Sequence, residues 1–279
     1  MDIKKIKKES NQIYLKYRKQ IIPEFFFVGY VSLLAQYLQS GLFSFFVSLF
    51  LCTVGHGYVK CATKLVDEDN VLLNYHDSMI GIMEFARVAP AYLMRKAVIL
   101  FLTIICGIPM TFYFKNNLTF LSLDWISSLG NAFIQTELLI PDFEIILMVI
   151  THVPILINLF FCIMIYMLLT ALLTPVPYIM EQEEFSWNES LLCSIRLMKG
   201  KVLQFVHLYI YYLIRHIFYF IVAGLITLFV GKINEILMLF CMIVSLILYI
   251  DVFKGRFELA KYLFYKEIRG DRSERCFNN

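Results

Sequence analysis

Long apolar runs alternate with charged segments along the whole chain. A helix rises about 1.5 Å per residue, so about 20 apolar residues cross the hydrocarbon core of a membrane. The run at 21–58 is nearly twice that length, and the polar residues Gln39 and Ser40 with Gly41 interrupt it. Further runs of span length lie within 97–114, 145–173, 202–230 and 236–253. The pattern predicts an all-α membrane protein with six transmembrane helices.

Lys and Arg residues follow the same alternation. All but Lys115, Arg215 and Lys232 of the 25 fall in four segments, at 1–20, 60–96, 175–201 and 251–279. Lys and Arg near the ends of membrane spans stay on the cytoplasmic side. We therefore expect both the N and the C terminus to be cytoplasmic.

With this orientation, the sequence predicts an N-terminal helix, a membrane domain and a C-terminal tail. Residues 1–20 form a basic amphipathic helix that we expect to lie on the inner leaflet, with a disordered basic tail as the alternative. Residues 21–253 form the six-span domain, and 254–279 form a basic cytoplasmic tail.

Composition supports a membrane protein. The chain is 59% hydrophobic and only 17% charged, with a mean hydropathy of +0.70, whereas soluble proteins are about 25% charged. The net charge of +3 is the remainder of a one-sided distribution, so it indicates no nucleic-acid partner. The partner that it indicates is the anionic lipid of the inner leaflet.

The cytoplasmic segments contain amphipathic helices. Ser186 and Glu189 have the spacing of a capping box, and Gly200 stands where a left-handed C-terminal cap belongs. Between them lies an apolar stripe of Trp187, Leu191, Leu192, Ile195 and Met198. We expect a helix from Trp187 to Lys199 that docks through this stripe on the membrane or on a protein partner. A second amphipathic segment precedes Arg95 and Lys96.

Charged groups inside apolar runs form a candidate polar site. Arg215 and His216 lie near the middle of the run at 202–230, where an Arg needs a partner such as Glu24, Asp251 or a substrate anion. The run is longer than one span requires, so Arg215 can also reach the headgroups as an interfacial anchor, and we favour that interpretation.

No signature of catalysis or cofactor binding stands out. His207 and His216 lie on opposite faces of a helix, and no cluster of metal-ligand spacing is present, so neither a metal nor a cofactor is predicted. Glu183 and Glu184 match the double glutamate of intramembrane CAAX-type proteases. The arginine expected four residues later is Asn188, which favours a solvated acidic turn and no enzyme activity.

Short motifs resemble one bacterial membrane family. They are the segment Ser194 to Lys201 followed by Phe205, the pair Gly57 and Tyr58 closing the second span, and the pair Phe264 and Tyr265 after the last. The chain in these parts is similar to the family catalogued as domain of unknown function 975. The resemblance implies a six-helix architecture in a bacterial plasma membrane and carries over no functional residues.

Three classes of function remain. An accessory or assembly protein of a membrane complex ranks first and would hold a partner through its inner helices. A small transporter for a lipid, peptide or small molecule ranks second and would need a hydrated cavity near Arg215. A membrane enzyme ranks third, because clustered polar groups are missing from the sequence pattern.

Overall fold

The helices of the protein account for nearly all of the chain that can be described. The computed structural model describes residues 2–37, 47, 50, 51, 53–117, 153–183, 185–231 and 234–270. Over these ranges the chain is helical and contains no strand, which confirms the all-α prediction. The predicted break at Gln39 to Gly41 lies outside the described residues.

Ten α-helices are described. In chain order they are α1 (Ile3–Tyr37), α2 (His56–Asp67), α3 (Tyr75–Met83), α4 (Phe85–Asn117), α5 (Val153–Leu172), α6 (Val176–Glu183), α7 (Trp187–Met198), α8 (Val202–Gly231), α9 (Glu235–Tyr249) and α10 (Gly255–Gly270). A π-helical segment, Ile250–Lys254, joins α9 to α10.

Local sequence signals set several helix ends. The Ser186 hydroxyl accepts from the Glu189 backbone N–H, and the Glu189 carboxylate accepts from the Ser186 backbone N–H at 3.0 Å, so the predicted capping box at the start of α7 is confirmed. Gly200 has a φ of 75°, which confirms the left-handed cap beyond α7. α5 ends at Leu172, just before Pro175, because proline cannot continue the hydrogen-bond ladder.

Three stretches among the described residues are long and apolar enough to cross a membrane. They are Phe85–Ile105, Phe160–Glu183 and Val202–Ile226. Each has one end whose large apolar side chains are exposed, such as Phe101 in α4, Phe161 in α5 and Phe218 in α8. Water is a poor solvent for such surfaces, and lipid is a good one. The arrangement is that of a helical membrane protein.

The other ends of these helices are buried in protein. Ala91 of α4, Ala171 of α5 and Phe205 of α8 are almost fully enclosed. They pack with α1, α2, α3, α6, α7 and α10 into one body, which we call the helical cluster. Exposed apolar surface begins within about three turns of these buried residues.

The predicted basic tail at 254–279 needs correction. Its first part is α10, and the apolar side chains of α10 are among the most buried in the protein, including Leu259, Tyr262, Phe264 and Ile268. The apolar residues of α10 recur at helical spacing and require a covered face. The described part of this segment is a core helix.

The N-terminal segment also differs from expectation. α1 continues without a break through Pro23 to Tyr37, so residues 1–20 and the start of the first predicted span belong to one helix. One face of it is buried from Ile6 through Tyr14 to Phe25, and it packs chiefly on α10. The face that we expected to contact the inner leaflet contacts protein.

Candidate functional site

The four residues of the sequence-predicted polar site do not form one cluster. The Glu24 carboxylate accepts a hydrogen bond from the Ser78 hydroxyl at 2.7 Å. His216 Nδ1 lies 3.1 Å from the hydroxyl of Tyr249. Asp251 belongs to a third set of contacts with α1. Among the described residues, none of these groups pairs with Arg215.

Arg215 lies on an aromatic ring. Its guanidinium is 4.5 Å from the centre of the Tyr211 ring, and the ammonium of Lys7 is 3.3 Å from the same centre. Arg215 is exposed. The tyrosine therefore joins a cation of α8 to a cation near the start of α1. This placement agrees better with an interfacial position than with a buried ligand site.

Asp251 links the two ends of the chain. Its carboxylate accepts from Arg18 Nε at 2.6 Å and from Arg18 Nη2 at 2.7 Å, which is the two-pronged geometry that suits a guanidinium. The Tyr14 hydroxyl donates to the same carboxylate at 2.5 Å. The residue that we considered as a partner for Arg215 instead fixes α1 against the π-helical segment.

A buried carboxylate in α6 gathers polar groups from two other helices. Glu181 Oε2 lies 3.0 Å from His56 Nε2 and 3.4 Å from Arg87 Nη2, and Glu181 Oε1 pairs with Lys60. On its other side, His56 Nδ1 is 3.2 Å from the Tyr92 hydroxyl. The imidazole is completely enclosed. Tyr92, His56 and Glu181 thus form a continuous hydrogen-bonded chain.

A second buried carboxylate lies in α10. Glu258 is only 2% exposed, and its oxygens lie 2.7 Å from Lys254 Nζ and 2.6 Å from Lys261 Nζ. Burial opposes ionisation of this carboxyl, but the two ammonium groups outweigh burial and lower the pKa of Glu258 to about 2. Burial, aided by the charges of Lys254 and Arg95 and opposed by Glu258, lowers the pKa of Lys261 to about 8.

A cavity of about 170 Å³ lies beside Glu258, where α2, α4, α6 and α10 meet. Its charged lining consists of Arg95, Lys254, Glu258 and Lys261, and the rings of Tyr58 and Tyr178 form part of its wall. Arg95 Nε is buried without a hydrogen-bond acceptor. We call this space the basic cavity.

The outer face of α7 differs from the predicted apolar stripe. Leu191 and Met198 are buried as expected, but Leu192 is 54% and Ile195 is 44% exposed. The buried face instead includes Ser190, Cys193, Ser194 and Leu197. Small residues allow close packing, and the Ser194 hydroxyl donates to the Leu172 carbonyl at 2.7 Å. The helix itself is confirmed, and the structure divides the predicted stripe: Leu191 and Met198 pack inside, whereas Leu192 and Ile195 are exposed.

The acidic turn before α7 is also less solvated than predicted. Glu183 pairs with Arg269 of α10, and its neighbour Gln182 donates to Asp67 at 2.9 Å. Glu184 lies outside the described residues. These contacts tie the end of α6 to α2 and α10.

Sequence reasoning missed both carboxylate networks, for different reasons. His56 and Glu181 are 125 residues apart, so no local spacing connects them. Glu258, Lys254 and Lys261 are neighbours on one helix, and their spacing of three and four residues was a usable signal. Within the described ranges, no group of three or more His, Cys, Asp or Glu side chains could hold a metal ion.

Comparisons with known proteins give no further guidance. No family model, curated protein or solved structure matches the chain.

Proposed function

We propose that this chain is a six-span protein of a bacterial inner membrane with both termini cytoplasmic. The packing of α1 on α10 supports this, since two helices that pack on each other outside the bilayer share one side of it. In this proposal the number of crossings is even. The candidate stretches in the described residues are three, so the second half of α1, the run ending at Tyr58 and α9 complete the set.

Its function in this proposal is that of a non-enzymatic accessory or assembly component of a membrane complex. One observation carries this: three carboxylates of the helical cluster join helices. Glu181 ties α6 to α2 and α4. Asp251 ties α1 to the π-helical segment, and Glu183 ties α6 to α10. The cluster is therefore a preformed platform with a fixed surface.

The surface that we assign to a protein partner is the outer face of α7. Leu192 and Ile195 present exposed apolar side chains there, on a helix that is fixed from behind by Leu197 and Met198. Docking a partner over this face would bury apolar area without any rearrangement of the cluster.

The test compares Ile195→Asp with Asn188→Asp in the native host. Both positions are exposed on α7, so neither change should alter thermal unfolding of the isolated protein. In gently solubilised membranes, wild type and Asn188→Asp should migrate as one discrete complex larger than the isolated chain, and Ile195→Asp should migrate as the isolated chain. The proposal fails if wild type is never part of a larger complex, or if Ile195→Asp leaves the complex intact.

A small transporter is the second candidate, and the basic cavity is the observation that favours it. A transporter must open such a cavity to each side of the membrane in turn. A cysteine at position 95, in a background without other cysteines, would then react with an impermeant thiol reagent added outside intact cells. An accessory protein with a static cavity predicts no reaction from outside at any stage.

A further inference from the structure

The basic cavity has more positive charge than its own residues neutralise. Arg95, Lys254 and Lys261 line it, and Glu258 is the single carboxylate among its lining residues. Glu258 already accepts from both lysines. Glu181, the acid of the neighbouring network, is occupied by His56, Lys60 and Arg87. Three cations facing one carboxylate leave a surplus of two positive charges in a partly enclosed space.

Of the three cations, Arg95 has a hydrogen-bond donor without an acceptor. Its Nε is buried and lacks an acceptor. Among the described residues, no Asp or Glu lies within ion-pair distance of its guanidinium. A buried donor without a partner destabilises a protein unless a ligand or water supplies the acceptor. Burial is the main cause of the lowered pKa of Lys261, and the charges of Lys254 and Arg95 lower this pKa further.

The basic cavity lies near the boundary between buried and exposed apolar residues, where a lipid headgroup would be within reach. On α4, Ala91 is enclosed in the cluster, whereas Leu100 and Phe101 are exposed apolar residues. Arg95 lies between them, at the boundary where a lipid headgroup would meet the cluster. Lys254 follows the last apolar helix and reaches the same cavity.

The volume points to a small group. Pockets for drug-sized molecules enclose about 300–1,000 Å³, whereas the basic cavity encloses about 170 Å³. A phosphate group fits this limit, and its several acceptor oxygens suit an Arg guanidinium flanked by two ammonium groups.

From this geometry we propose that the basic cavity is a phosphate-binding site in which Arg95 is the principal ligand and Lys254 and Lys261 add positive charge. The phosphate belongs to a phospholipid headgroup or to a soluble phosphate. This site is independent of the accessory role, because its binding can be measured on the purified protein alone.

The experiment uses the full-length protein in delipidating detergent. Three probes are added: dioctanoyl phosphatidylglycerol, inorganic phosphate, and dioctanoylglycerol, which lacks phosphate. Binding is measured by native mass spectrometry for the lipids and by the shift in thermal unfolding for all three. Arg95→Gln is the test variant. Lys96→Gln is its matched control, since Lys96 is the exposed neighbour on the same helix.

The expected result is that phosphatidylglycerol or inorganic phosphate binds wild type and Lys96→Gln equally, and binds Arg95→Gln at least about tenfold more weakly. Dioctanoylglycerol should not bind in the cavity. A response to phosphatidylglycerol alone identifies a lipid headgroup as the source, and a response to inorganic phosphate identifies a soluble phosphate. Both outcomes support the site.

Several results would overturn it. The site is rejected if neither phosphate probe binds wild type, or if Arg95→Gln binds as well as wild type. It is also rejected if Lys96→Gln weakens binding as much as Arg95→Gln, because that result would indicate general surface attraction. If Arg95→Gln does not fold, Arg95→Lys replaces it. That variant keeps the charge but loses the planar donor set, so binding should weaken by less than tenfold but measurably, and wild-type affinity there would equally reject the site.

Discussion

Gly57 lies so close to Ser78 that a β-carbon at position 57 would come within 2.0 Å of the Ser78 carbonyl oxygen. The contact is matched one turn away, where a β-carbon on Gly81 would lie 1.9 Å from the Thr53 carbonyl oxygen. Two glycines therefore allow the backbones of α2 and α3 to touch. At the same crossing the Ser78 hydroxyl donates to the Glu24 carboxylate of α1, so the crossing positions three helices of the cluster.

Replacing either glycine with alanine should destabilise the protein. No side chain can move to relieve these contacts, because the atoms in the way are backbone, so we expect Gly57→Ala and Gly81→Ala each to lose about 1–3 kcal/mol. Gly224→Ala is the control, since a β-carbon there meets nothing within 4 Å. Its melting temperature should stay the same or rise. Thermal unfolding in nanodiscs measures all three, and a neutral Gly57→Ala would show that the helices are less closely packed.

Removing the charge of the buried Glu258 should destabilise the protein far more than removing the charge of an exposed glutamate. Glu258→Gln leaves the partly buried Lys254 and Lys261 without a counter-charge, and we expect this to lower the free energy of unfolding by about 3–5 kcal/mol. Glu84→Gln breaks the surface pair with Arg87 and should lose less than about 1 kcal/mol. Unfolding by SDS titration in mild detergent gives both values. Equal losses would mean that the Glu258 network is solvated.

The same carboxylate should make stability depend on acid. The pKa of Glu258 is about 2 in the folded protein, below the 4.5 of a free glutamate, so as the pH falls the unfolded chain takes up this proton first. The stabilisation is complete above about pH 4.5 and is lost between pH 4.5 and 2, by about 3 kcal/mol in all. The lysines stay protonated throughout. The stability gap between wild type and Glu258→Gln should therefore narrow below pH 4.5, and a constant gap would contradict the lowered pKa.

Local signals predicted helices well and contacts between them poorly. The box at Ser186, the cap at Gly200 and the bounds of α8 depend on neighbours in sequence, so they could be predicted. In α7 Ser194 is buried and Ile195 is exposed, which hydrophobicity does not predict, because close helix packing favours the smaller side chain. The partners of Glu181 and Asp251 come from segments far away in the chain. No spacing rule could have assigned Asp251 to Arg18 instead of Arg215.

The proposed orientation predicts which sites an impermeant thiol reagent can reach. Single cysteines are introduced in a variant whose seven native cysteines are replaced with alanine. A cysteine at Asn117, beyond the third predicted span, should react in intact cells, because the inside excess of Lys and Arg places it outside. A cysteine at Glu68, in the turn after α2, should react only after the cells are permeabilised. Labelling of Glu68→Cys from outside would reject the six-span topology.

We expect Arg215→Lys to leave the protein stable, whereas removal of the Tyr211 ring should destabilise it. The guanidinium is exposed and lies over the Tyr211 ring. A lysine there keeps a cation over the ring and can extend to the headgroups. Arg215→Lys should therefore change the free energy of unfolding by less than about 1 kcal/mol. Tyr211→Leu removes the ring from both Arg215 and Lys7, so it should loosen α1 from α8 and lower the melting temperature more. Tyr75→Leu, at an exposed tyrosine of α3, is the control. If Arg215→Lys proves strongly destabilising in both detergent and nanodiscs, the guanidinium has a partner that needs its planar fork, and the transporter hypothesis moves ahead of the accessory one.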